Sequence, residues 1–126
     1  MKNSSIKKKI INAPISIGEL VDKITILEIK KNKLQNSKLE NVLKELSFLR
    51  KLMEKHQIEI TDNLFTQLKE INLKLWNIED QIRIKEKNKE FDNIFIELAR
   101  SVYFKNDIRA EIKKFPNLPN DLLNLL

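Results

Sequence analysis

A carboxylate in an apolar setting is the first chemically informative residue of this chain. Glu28 falls inside the apolar stripe of a predicted helix, beside Val21 and Ile24. Burying an unpaired carboxylate is costly, so Glu28 requires a nearby cation or a raised pKa. We expect Arg83 or Arg100, from another helix, to be that cation. An internal ion pair and a ligand-binding group would both satisfy this pattern.

A second polar group lies along one ridge of a later predicted helix. Trp76, Glu79 and Arg83 are three and four residues apart, which places them on one side of that helix. The ridge is either a salt bridge beneath an aromatic ring or the wall of a pocket for a small anion. Arg100 would join it from the next helix, because Arg is a bidentate donor for carboxylates and phosphates. The candidate ligand-binding residues are therefore Glu28, Trp76, Glu79, Arg83 and Arg100.

The composition excludes several other kinds of chemistry. The chain has one Gly, one His and no Cys. It therefore lacks a Gly-rich phosphate loop, a thiol nucleophile and a multi-His metal site. We predict no metal site and no cofactor. No catalytic residue is identifiable, and whether the protein is an enzyme stays open at this point.

The positive charge does not by itself indicate a nucleic-acid partner. The net charge is +6, but the basic residues are mostly Lys spread along the whole chain. Scattered Lys is typical of a solvated surface, so nucleic-acid binding is not expected. No apolar run approaches the roughly 20 residues of a membrane helix, and no signal peptide is predicted. We expect a cytoplasmic protein without a membrane partner.

These residues would be positioned by an all-α fold, an antiparallel bundle of about four helices in one domain. Capping boxes at Ser16–Glu19 and Ser37–Glu40 predict two helix starts, and Asp62 is the predicted N-cap of the third. An irregular lead-in (1–15) precedes three predicted helices over about 17–34, 37–57 and 62–84. The fourth predicted helix runs from 91 or 92 to 114, with a kink or new cap at 106–107. A tail (116–126) with one short helical turn follows it.

Apolar residues off the main stripes predict self-association. Ile26 and Ile29 lie away from the stripe of the first helix, and Ile96 and Phe104 lie off the main face of the fourth. A helix that is apolar on more than one side is buried on more than one side. In so small a protein, a second copy is a natural partner for these residues.

Three sequence blocks carry a resemblance to a known family. They are INAPISIGELVDKITILEIK (11–30), LWNIEDQIR (75–83) and FDNIFIELARSVYFKNDIRAEIK (91–113), a little under half of the chain. They resemble a family of small uncharacterised bacterial proteins, a domain of unknown function. Its members are often encoded near glycosyltransferases of lipopolysaccharide or capsule synthesis. The family has no catalytic residues to carry over to this chain.

Two functions are consistent with these observations. The first is a non-catalytic helical interaction or scaffold protein of surface-polysaccharide (lipopolysaccharide) biosynthesis. The resemblance implies a glycosyltransferase or another protein of that process as its partner. The alternative is a protein that binds a sugar nucleotide or a dicarboxylate in the polar pocket, or a small helical enzyme that uses it. Convergence of the polar residues on a cavity would favour the alternative.

Overall fold

The structure, a computed structural model, describes residues 10–114 and confirms an all-α fold. Within this range there are four helices and no strands: α1 (Ile17–Lys33), α2 (Asn36–Lys55), α3 (Asp62–Lys87) and α4 (Asn93–Lys113). None of these helices is long and apolar enough to cross a bilayer. The predicted tail and the first nine residues of the lead-in lie outside the described range.

Helix α1 is the central helix, since it packs against each of the other three. One of its sides joins α2 in an apolar cluster that includes Leu20, Ile24 and Leu46. The opposite side joins α3 and α4 in a second cluster built around Val21 and Leu68. The two clusters explain why α1 is buried over most of its circumference.

The sequence predicts the starts of α1 and α4 well and those of α2 and α3 less well. The Ser16 hydroxyl accepts a hydrogen bond from the Glu19 amide, so the first cap is confirmed. Thr61, not Asp62, caps α3 by accepting from the Leu64 amide. The second capping box is wrong: α2 starts at Asn36, and Ser37 lies within its first turn. Asn36 has φ 60°, a left-handed conformation that Asn tolerates, and it turns the chain directly into α2.

Two further expectations are corrected by the packing. Helix α4 runs unbroken through Asn106, whose side chain accepts a hydrogen bond from Arg109 and does not cap the backbone. Ile29 is only 3% exposed, so it belongs to the interior and not to an outer surface. Ile26 is half-buried, whereas Ile96 and Phe104 remain about half exposed.

The one glycine marks the closest approach between two helices. Gly18 lies in the first turn of α1, and the backbone carbonyl of Lys113 passes directly over it. A Cβ at position 18 would collide with that carbonyl oxygen, which is main chain and cannot rotate away. The absence of a side chain at Gly18 therefore allows the last turn of α4 to dock on the first turn of α1.

We predict that Gly18→Ala destabilises the fold by about 1–3 kcal/mol, because it overpacks this contact. The sign is informative, since Gly→Ala within a helix ordinarily stabilises by up to about 1 kcal/mol. Urea unfolding measures the change, with Asn41→Ala on the exposed side of α2 as the control. A stabilised Gly18→Ala protein would contradict the close packing of α1 and α4.

Candidate functional site

The most deeply buried charge in the described structure is Asp22 of α1, which is 1% exposed. Arg109 of α4 binds it through two parallel hydrogen bonds. The Nε–H donates to Oδ1 at 2.9 Å, and Nη2 donates to Oδ2 at 2.6 Å. Bidentate pairs of this kind are among the stronger hydrogen-bonded contacts in proteins. The pair joins two helices whose residues are 87 positions apart.

A third helix closes the same network. The Asn72 side chain of α3 donates from Nδ2 to Asp22 Oδ1 at 2.8 Å and to Thr25 Oγ1 at 2.9 Å. The Thr25 hydroxyl in turn donates to the backbone carbonyl of Asp22 at 2.8 Å. Among residues 10–114, no fully buried side-chain nitrogen or oxygen lacks a partner. The network is therefore satisfied internally, as a buried polar cluster must be.

The outer edge of this network is also charged. Lys113 Nζ lies 3.2 Å from Glu19 Oε2 and 3.9 Å from Asp22 Oδ2. The Glu19 carboxylate, which the capping box would direct to the backbone, thus contacts α4 instead. Two cations of α4 therefore face two carboxylates of α1, directly beside the close approach at Gly18.

The electrostatics keep Asp22 ionised. Burial acts to raise the pKa of Asp22, but hydrogen bonds from Arg109 and Asn72 and the charges of Arg109 and Lys113 outweigh it. The resulting pKa lies below its ordinary value of 3.8. The hydrogen bonds to Asp22 likewise raise the pKa of Arg109, despite opposing desolvation. Near neutral pH this pair stays charged and is unsuited to proton transfer.

Sequence reasoning missed Asp22 because it assumed a single apolar stripe on α1. Asp22 and Thr25 lie on the side of α1 that faces α3 and α4, away from the stripe that faces α2, and both are buried. The sequence did contain a signal for Asp22: it follows the apolar Val21, and it lies three residues before Thr25, on the same side of the helix. Its partner Arg109 could not be identified, since the sequence does not show which distant residues meet.

Glu28 is ion-paired, but not with the predicted partners. Its carboxylate accepts from Arg50 Nη2 at 2.6 Å, across the α1–α2 interface, and lies 2.8 Å from Lys31 Nζ. Burial raises the pKa of Glu28, yet the hydrogen bonds from Lys31 and Arg50 bring it below its ordinary value. The expectation of Arg83 or Arg100 was wrong, because this side of α1 faces α2. Arg50 is about half exposed, so the pair contributes no more than about 1 kcal/mol.

Trp76 and Glu79 do line a common cavity, of about 230 Å³, between α1, α3 and α4. Asn106 and Arg109 form its polar wall, and Ile26 and Ile29 form its apolar wall. Lys33 Nζ lies 5.8 Å from the centre of the Trp76 ring, within the range of a cation–π contact. Two of the five candidate residues are thus brought together beside the Asp22 network.

Arg83 and Arg100 do not join this cavity. Arg83 Nη1 donates to Asp80 Oδ1 at 3.2 Å, in an exposed pair one turn apart on α3. Arg100 is exposed on α4. Glu28, Arg83 and Arg100 thus lie outside the cavity that Trp76 and Glu79 share, and the five candidate residues do not form one site. Within residues 10–114 no group of three or more potential metal ligands is present.

Residues 10–122 match the model of a family of unknown function (DUF6165), and the chain belongs to this family. No curated protein and no solved structure matches the chain. The resemblance to an uncharacterised family is confirmed, whereas the genomic setting that it implies stays a prediction.

We predict that Asp22→Ala lowers the free energy of unfolding by about 3–5 kcal/mol, because it leaves Arg109 partly buried without a counter-charge. The wild-type protein should also lose stability on acidification. The unfolded chain binds a proton to Asp22 more readily than the folded chain, so the contribution is complete above about pH 4 and is lost below it.

Urea unfolding over about pH 2–7 measures this dependence. Asp22→Asn should flatten the acid limb of the stability curve, since it removes the titrating group and keeps its shape. Arg83→Lys is the control, because it alters an exposed pair. An Asp22→Asn curve that runs parallel to the wild-type curve would contradict the assignment.

Proposed function

We propose that this family member is a non-catalytic interaction protein that presents the α3–α4 hairpin as its binding surface. One observation supports this most directly: no residue between Leu75 and Ile112 is buried. That segment includes the second half of α3 and nearly all of α4, which pack on each other. We call residues 77–105 the arm and the remaining described residues the body.

The arm exposes more large apolar side chains than a two-helix extension needs for its own packing. Ile84, Phe91, Ile94, Ile96, Tyr103 and Phe104 are each more than half exposed. This number of exposed apolar side chains on one segment favours a role in association. The distribution supports docking along the sides and tip of the arm.

The tip of the arm is held in a defined conformation. Lys85 Nζ lies 2.9 Å from Asp92 Oδ2 and 3.3 Å from Glu90 Oε2, which ties the end of α3 to the start of α4. Asp92 also caps α4 by accepting from the Phe95 amide at 3.0 Å. Its hydrogen bonds to Lys85 and Phe95 lower the pKa of Asp92. A pre-organised turn reduces the entropy lost on binding.

The polar residues of the body support a structural role over a catalytic one. The Asp22 and Glu28 carboxylates are each held by two cations, and their lowered pKa values keep them ionised. Groups that are mutually satisfied in this way do not present a free acid or base to a substrate.

Surface-polysaccharide assembly is the setting that we propose, on the strength of the sequence resemblance. A glycosyltransferase of that process is the partner class, and the cytoplasm is the proposed location. The lack of Cys in the sequence is compatible with a reducing compartment.

The 230 Å³ cavity supports a second candidate function, the binding of a small polar ligand such as the sugar of a nucleotide sugar. Trp76 offers a ring on which a sugar can stack, and Asn106 and Glu79 offer hydrogen-bonding groups beside it. Arg109 is already held by Asp22, so an anionic ligand would have to compete with that carboxylate.

We predict that Ile84→Lys and Ile94→Lys each reduce recovery of a glycosyltransferase at least tenfold in affinity capture from the native host. A charge at these exposed positions would disrupt apolar docking and leave the fold intact. Phe48→Lys, at an exposed position of α2, is the matched control. Equal recovery with all three variants would show that the arm is not the binding surface.

For the second candidate function, we predict that a nucleotide sugar or dicarboxylate at about 100 times its Kd raises Tm by roughly 10 °C. Trp76→Leu should abolish the shift, because it removes the stacking surface. Arg83→Lys should retain it, since Arg83 lies outside the cavity. A thermal-shift screen makes the measurement, and an equal shift in Trp76→Leu would exclude this cavity as the site.

A further inference from the structure

The outward side of α4 has a regular apolar pattern. Ile96, Ala99, Tyr103 and Ala110 follow one another at intervals of three, four and seven residues, and all are exposed. This is the spacing by which one helix packs along another. The Tyr103 and Phe104 rings lie side by side in the middle of this stretch, with their centroids 4.7 Å apart.

Two opposite charges flank those rings. Arg100 lies three residues before Tyr103, and Asp107 lies three residues after Phe104, both exposed. Arg100 and Asp107 are seven positions apart, so they lie on the same ridge of the helix. No ion pair within residues 10–114 involves either of them, although their neighbours Arg109 and Lys113 are paired.

We propose that a second copy of this chain covers this side of α4, with the two α4 helices antiparallel about a two-fold axis beside Tyr103 and Phe104. The proposal rests on the proposed function and names the occupant of this side of α4, which runs from the arm into the adjoining part of the body. In an antiparallel pair, a residue before the axis on one helix lies opposite the residue equally far beyond it on the other. Arg100 of each copy then meets Asp107 of the other.

The charges also select the orientation. A parallel pairing in register would set Arg100 against Arg100 and Asp107 against Asp107, which is repulsive. The antiparallel arrangement converts both repulsive contacts into attractive ones and stacks the two Tyr103–Phe104 ring pairs against each other. The charges of Arg100 and Asp107 are thus self-complementary in the antiparallel orientation and not in the parallel one.

The available surface is sufficient for a stable contact. At half exposure, Ile96, Tyr103 and Phe104 each offer about 100 Å². With the alanines and the two charged side chains, complete coverage of the face would bury at most about 600 Å² per copy, the lower end of the range for specific interfaces. Ile84 and Ile94, nearer the tip of the arm, are left free for a different partner.

The test is sedimentation equilibrium on the full chain with reversed charges. Arg100→Asp alone and Asp107→Arg alone should each raise the dimer Kd at least tenfold, since each sets like charges against each other twice. An equimolar mixture of these two variants should regain dimerisation, because every contact across the axis is then between opposite charges. Lys44→Asp, exposed on α2, is the control and should leave the Kd unchanged.

Each other outcome overturns the proposal. A wild-type monomer at all concentrations excludes the dimer, and a dimer that tolerates both reversals excludes this face. Weakened variants that do not recover on mixing exclude the antiparallel register. Ile84→Lys and Ile94→Lys should leave the dimer Kd unchanged while they reduce capture of the glycosyltransferase. A monomeric wild-type protein whose capture falls in these variants overturns this inference alone, and a dimer whose capture is unaffected by them overturns the proposed function alone.

Discussion

The architecture depends on one buried carboxylate. Asp22 lies in the buried interface of the central helix with α3 and α4, where an unpaired charge would be strongly unfavourable. It is stabilised only when α4 brings Arg109 and α3 brings Asn72 to the same point. This requirement fixes the register of three helices together, which apolar packing alone specifies less sharply. The bare backbone at Gly18 is part of the same arrangement, because it allows the end of α4 to come close enough for Arg109 and Lys113 to reach α1.

The position of this network explains the shape of the rest. It joins the C-terminal part of α4 to the middle of α3. The C-terminal half of α3 and the N-terminal half of α4 therefore extend past the contacts that α1 provides. The body is stabilised by buried apolar clusters and satisfied polar groups. The arm relies on the packing of two helices and the charged turn around Lys85. Among the described residues, the body thus contains the buried side chains, and most residues of the arm are exposed.

The sequence predicted the local structure well, because local structure depends on near neighbours. The helical stripes, the Ser16 cap and the Asp92 start of α4 could all be read from residues within a few turns. The site was predicted poorly, because it depends on which helices meet. Glu28 was recognised as a carboxylate in need of a cation, yet Arg50 is its partner, since that side of α1 faces α2. Asp22 was overlooked for the complementary reason: α1 is buried on two sides, and a helical wheel with one apolar stripe assigns the second buried side to solvent.

The long separation between Asp22 and Arg109 has a consequence for biosynthesis. The carboxylate is synthesised 87 residues before the guanidinium that neutralises it. At about 5–20 residues per second, the nascent chain carries Asp22 without that partner for roughly 4–17 s. During this interval α1 can pair with α2 through one apolar cluster and with α3 through most of the other, because Leu64, Leu68 and Ile71 are synthesised before α4. The ribosome-bound chain should thus hold three packed helices around a carboxylate whose guanidinium partner has yet to arrive.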